Sequence, residues 1–121
     1  MSKDIIDIAK KRYHDKVASS TRCLTVDELT KNPDEPFKVH VRPITTEQFQ
    51  KIRAGEDEID RCVITLIERA LDADGKKLFS YAEKNEMKRF LEPQMLIKLV
   101  RRINEDVNSL FDDDGVEVVG N

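Results

Sequence analysis

Residues 58–71 read EIDRCVITLIERAL, and their apolar members Ile59, Cys62, Val63, Leu66, Ile67, Ala70 and Leu71 recur at i, i+3, i+4 and i+7 without a miss. That spacing predicts an amphipathic helix of about three and a half turns with one face on a core. Downstream, Asp72-Ala73-Asp74-Gly75 reads as the turn that ends it, and Leu78 and Phe79 as the residues that tuck the loop inward. Ser80 and Glu83 fit a capping box opening a helix through Met87, Phe90 and Leu91. Pro93 suits the first turn of a last helix, where a missing N–H costs nothing. In that helix Met95, Leu96, Leu99, Val100, Ile103, Val107, Leu110 and Phe111 form a wide apolar stripe.

Upstream, Thr45 with Gln48 caps a short helix that turns Phe49 and Ile52 inward and stops at Gly55. Phe37 to Arg42 alternate apolar and polar at period two, the pattern of a half-buried strand, and Pro43 ends it. Its partner falls near Arg22 to Val26 across the turn-rich stretch Lys31 to Pro36, although Thr25 to Glu28 also fits a capping box and leaves a single helical turn at 26–31 open. Ile5, Ile8, Ala9, Tyr13 and Val17 predict a helix over 4–18, with Ser2 or Asp4 as cap. Its stripe is narrow, as expected of an arm that packs weakly on the body or docks on a partner.

The expected fold is mostly α, a helical domain with a small N-terminal β-hairpin, α+β in the loose sense. Residues 1–111 form one domain in this reading: an N-terminal helical arm (1–21), a β-hairpin (22–43) and a four-helix body (44–111). Residues 112–121, with two turn-like glycines, read as a flexible acidic tail.

A chain of 121 residues is the size of one hydrophobic core, and 39% hydrophobic residues with seven aromatics make that core aliphatic. No stretch approaches the roughly 18 apolar residues of a membrane span. Asp4 and the lack of an apolar run behind it speak against a secretory signal. Six acids and no base lie between Ile103 and Asn121; taking those six from the chain's 24 acids leaves residues 1–102 with 18 acids against 21 bases. An excess of +3 is too weak to predict nucleic-acid binding, which scales with clustered Lys and Arg contacts. Lys10, Lys11 and Arg12 read as the solvated face of a helix.

Catalytic and cofactor chemistry find no footing. Cys23 and Cys62 lack further Cys or His at metal spacing and read as reduced, partly buried thiols. Asp72, Asp74 and Gly75 resemble the middle of a calcium loop. With Gly75 at loop position six, however, the first and last ligand positions fall on Ala70 and Tyr81, which bind no calcium. His14 and His40 sit on polar faces away from any nucleophile in a recognisable turn, and four scattered glycines make no phosphate loop. The sequence therefore predicts no enzyme, no metal and no cofactor.

The order of features from Cys23 onward resembles the tail assembly chaperones of long-tailed, non-contractile (siphovirus-type) bacteriophages. The matching pieces are the strand exit VRPIT (Val41 to Thr45), the apolar helix running into LDADGKKLFS (Leu71 to Ser80), and the helix, proline and amphipathic helix that follow. The resemblance covers Val41 to about Ser109; Glu92 stands where the family has a small capping residue. It implies a morphogenesis factor of the host bacterial cytoplasm that binds the tape-measure protein, recruits tail-tube subunits and is absent from the mature virion. It also implies a longer, frameshifted form of the same protein as a partner, together with self-association. The candidate partner interface is Ile5, Ile8, Tyr13, Val107, Leu110 and Phe111. A small helical regulatory adaptor or nucleic-acid-binding module is the alternative reading of the same patterns.

Overall fold

The computed structural model describes residues 2–107; Leu110, Phe111 and the acidic segment 112–121 lie outside the described residues. Helix α1 spans Ser2–Ser20, a stretch that neither glycine nor proline interrupts. At its end the Ser19 hydroxyl donates to the Asp15 carbonyl at 3.0 Å and the Thr21 hydroxyl donates to that of Val17. The Val17 carbonyl is one of the last four that a helix terminus leaves without an intrahelical partner, whereas Ser19 bonds back to a carbonyl inside the helix.

Strands β1 (Arg22–Thr25) and β2 (Lys38–Val41) pair antiparallel, with Arg22 opposite Val41 and Cys23 opposite His40. The two readings of 26–31 meet here. The Val26 N–H extends the hairpin by donating to the Phe37 carbonyl at 2.9 Å, and Asp27–Leu29 form one 3-10 turn. That turn lacks the capping box expected of Thr25 and Glu28 and is tied by Thr30, whose hydroxyl donates to the Val26 carbonyl and accepts from the Phe37 N–H.

Helix α2 (Thr46–Arg53) has its capping box, Thr45 and Gln48 exchanging bonds of 3.1 and 3.2 Å. Gly55 follows as a point of close approach: a Cβ there would lie 2.7 Å from Arg61 Cγ. Helix α3 (Glu58–Arg69) is capped by the Asp57 carboxylate and packs on α2 and on the two helices that follow. All of its residues from Cys62 onward are buried. Two expectations change. Ile59 is exposed, because Asp60 is the buried member of that first turn, and α3 ends at Arg69 rather than Leu71. Leu71 is extended and exchanges backbone bonds of 2.8 and 3.1 Å with His40, adding an isolated bridge beside β2.

The turn after Leu71 forms as predicted. Asp72 Oδ1 accepts from the N–H groups of Asp74 and Lys76, and Gly75 adopts a φ of +84°, which glycine tolerates at no steric cost. A 3-10 turn (Tyr81–Glu83) leads into α4 (Lys84–Phe90), the Glu83 carboxylate accepting from the Ser80 N–H at 2.8 Å. Met87 is the buried residue of α4; Phe90 points to solvent, contrary to the expected stripe.

Helix α5 (Pro93–Ile103) begins at its proline and stops earlier than the stripe suggests, giving way to a 3-10 turn at Asn104–Asp106. Two arginines from other elements explain the stop. Arg22 donates to the carbonyls of Arg102 and Ile103, and Arg69 to those of Ile103 and Arg42. Positive groups at a helix C-terminus satisfy its free carbonyls and complement its dipole. The core gathers the inward side of the hairpin (Val26, Val39, Val41), of α3 (Val63, Leu66, Ile67) and of α5 (Leu96, Leu99, Ile103).

Candidate functional site

Helix α1 stands largely off this core. Of its residues 3–20 only Tyr13 and Val17, four apart and so on one face, are even half-buried, and the Tyr13 hydroxyl donates to the Pro43 carbonyl at 2.8 Å. Ile5 and Ile8 are 67% and 68% exposed. They leave exposed apolar surface on a helix that has little packing of its own.

At the foot of α1 a cleft of about 490 Å³ is bordered by Lys16, Arg22, Pro43, Ile44, Asp106 and Val107. The structure thus brings Val107 and Pro43, the acceptor of Tyr13, to one place and leaves Ile5 and Ile8 farther out along α1. Leu110 and Phe111 lie outside the described residues. One wall of the cleft is fixed by Arg69, 1% exposed, whose guanidinium reaches Asp106 at 3.0 Å, Asn104 Oδ1 at 3.1 Å and the Arg42 carbonyl at 2.9 Å. Arg22 joins the same carboxylate at 3.2 Å.

Two more buried charges hold the body together. Asp60 receives Lys88 at 2.7 Å and Lys84 at 2.9 Å, locking α3 to α4. These ammonium groups, with the Glu56 N–H, keep its carboxyl well below the usual carboxylate range. Glu68 accepts from the Tyr81 hydroxyl at 2.7 Å and faces Lys77 and Lys51; burial, then the Glu68 charge, pushes the Tyr81 phenol up. The sequence reading missed all three charges, although a signal was present. Asp60 falls on the row Asp60, Val63, Ile67, and Arg69 on the row Cys62, Leu66, Arg69, so both sit on the apolar stripe.

Cys23 and His40 face each other across the strand pair with Sγ 3.9 Å from Nε2, on the exposed side. Burial pushes the Cys62 thiol up. Among the described residues no three His, Cys, Asp or Glu side chains gather in a group able to hold a metal ion, and no helix is long and apolar enough to cross a membrane.

The two sequence stretches that carry the phage resemblance also meet in space. Gly75 of the LDADG turn lies directly under the Arg42 guanidinium of the VRPIT exit, so that a Cβ there would be 2.7 Å from Arg42 Cζ. A solved structure, that of the tail assembly chaperone of bacteriophage HK97, matches with a TM-score of 0.54 and 21% identity, over 89% of this chain and 97% of that one. This chain shares its fold. At that identity the likeness is one of architecture. No protein-family model matches the chain, and no curated protein matches it significantly in sequence.

Proposed function

We propose that the chain is a phage tail assembly chaperone, acting by binding rather than catalysis. Its partners in this reading are the tape-measure protein, tail-tube subunits, a frameshifted longer form of itself and further copies of the chain. Assembly takes place in the host bacterial cytoplasm, and the protein is absent from the mature virion. Residues 1–111 act as one unit whose partner interface comprises Ile5, Ile8, Tyr13, Val107, Leu110 and Phe111, with Ile5 and Ile8 presented by the arm (1–21). The observation that carries the reading is the fold shared with the HK97 protein over nearly the whole of both chains, with VRPIT and LDADGKKLFS converging at Arg42 and Gly75. The exposed apolar arm suits a protein that works by contact.

Co-expression with the cognate tape-measure protein tests the proposal. The expected outcome is a tape-measure protein kept soluble and recovered with this chain. A tape-measure protein equally insoluble with and without it would overturn the assignment.

A further inference from the structure

Tyr13 and Val17 are the half-buried residues of α1 and mark one of its faces. At about 100° per residue, Ile5 and Ile8 lie roughly 130° round the axis from that face, on a stripe left exposed. Arg12 falls between them on the stripe and Asp4 at its border, both exposed. Lys11 is held by Asp15 at 3.3 Å, whereas Asp4 and Arg12 have no ionic partner among the described residues.

Charge also changes sign along the helix. Residues 3–9 hold one base, Lys3, against the two acids Asp4 and Asp7, or −1; residues 10–16 hold the four bases Lys10, Lys11, Arg12 and Lys16 against Asp15, or +3 with His14 neutral. A second helix of the same sequence complements this only when it runs the other way. With Ile8 set against Ile8, Asp4 of each copy comes opposite Arg12 of the other, and each Ile5 lies along the aliphatic stem of Lys11. Run parallel, Asp4 faces Asp4 and Arg12 faces Arg12.

We propose that the exposed stripe of α1 pairs antiparallel with the same stripe of a second copy, an isologous contact in which Ile5 and Ile8 supply the apolar seam and the two Asp4–Arg12 pairs set the direction. This pairing rests on the reading of the chain as self-associating and assigns that association a surface and an orientation. The helices overlap over residues 2–14, about 20 Å at the helical rise. So short a contact is small beside a standard interface, and the association is weak and concentration-dependent.

Sedimentation of the full chain over a wide concentration range tests this with the single variants Asp4→Lys and Arg12→Asp and with their equimolar mixture. Each variant alone turns two attractions into two repulsions and is expected to raise the dissociation constant about tenfold. The mixture returns to the wild-type level, because the new lysine of one copy then meets the new aspartate of the other. A first turn frayed by the loss of Asp4 is not rescued by mixing, so variants that stay weak when mixed would overturn the pairing. Association that neither variant weakens, the result of a parallel pair or of another surface, would overturn it and leave self-association standing. A wild-type chain that is monomeric throughout would overturn both. The readout needs no tape-measure protein, so failure of the co-expression leaves it unaffected, and failure here leaves the chaperone reading to that test.

Discussion

The Arg69 guanidinium meets the Asp106 carboxylate at 3.0 Å, tying the last residue of α3 to the turn that follows α5. Arg69 is buried and also serves Arg42, Ile103 and Asn104, whereas Asp106 is partly exposed. Arg69→Ala removes every one of these bonds and is expected to cost about 3–5 kcal/mol, the range for breaking a buried ionic network. Asp106→Ala leaves Arg69 its three neutral acceptors and should cost about 1–3 kcal/mol. Urea denaturation of both variants checks the ranking, and equal losses would contradict it.

Asp60 makes stability depend on acid. Its folded carboxyl titrates below the ordinary value of 3.8, so its contribution is complete above that value and is lost as pH falls through the folded one. Asp72, whose carboxyl is lowered mainly by the Lys76 N–H, acts in the same direction. Stability should hold between about pH 7 and 5 and decline below about 4. An Asp60→Asn variant should be less stable at neutral pH and show a shallower acid limb in thermal scans; an unchanged limb would show that other carboxylates dominate.

Gly75→Ala meets two obstacles at once, the φ of +84° and the Arg42 guanidinium overhead. A loss of about 1–3 kcal/mol is expected from the strained backbone. Adding Arg42→Ala to Gly75→Ala tests the pair, since the second substitution removes the group that the new Cβ meets. A double-mutant cycle with no coupling would place the whole cost in the backbone.

Ile5→Ser and Ile8→Ser touch the exposed arm and should change unfolding free energy by less than about 0.5 kcal/mol, as surface substitutions do. In the proposed role their effect falls on association. Sedimentation over a wide concentration range should show oligomers for the wild-type chain and fewer for the double variant, and a wild-type chain that stays monomeric throughout would count against self-association.

The helices were legible because their signals are local. Thr45 with Gln48, Pro93, and the Asp72 to Gly75 turn each act within a few residues, and the apolar periodicity of α3 reports its own burial. What escaped depends on distant partners. The end of α5 at Ile103 is set by Arg22 and Arg69, far away in sequence, and Ile59 lies outside the core because lysines of α4 hold Asp60 instead. Phe90 fitted a stripe whose inner side in α4 is filled by Met87 alone. At the candidate site, the exposure of Ile5 and Ile8 followed from the narrow stripe of α1. The meeting of Tyr13 with Pro43 had no sequence signal, because a single hydroxyl-to-carbonyl bond leaves no periodic trace.

That bond also makes α1 a lever. Ile5 sits eight residues before Tyr13, about 12 Å along the axis at the helical rise of 1.5 Å per residue. A tilt of about 10° about the Tyr13 contact would therefore carry Ile5 through about 2 Å at that rise. In the proposed role, such a tilt would move the point at which the arm meets its partner while the hairpin, α3 and α5 keep their contacts.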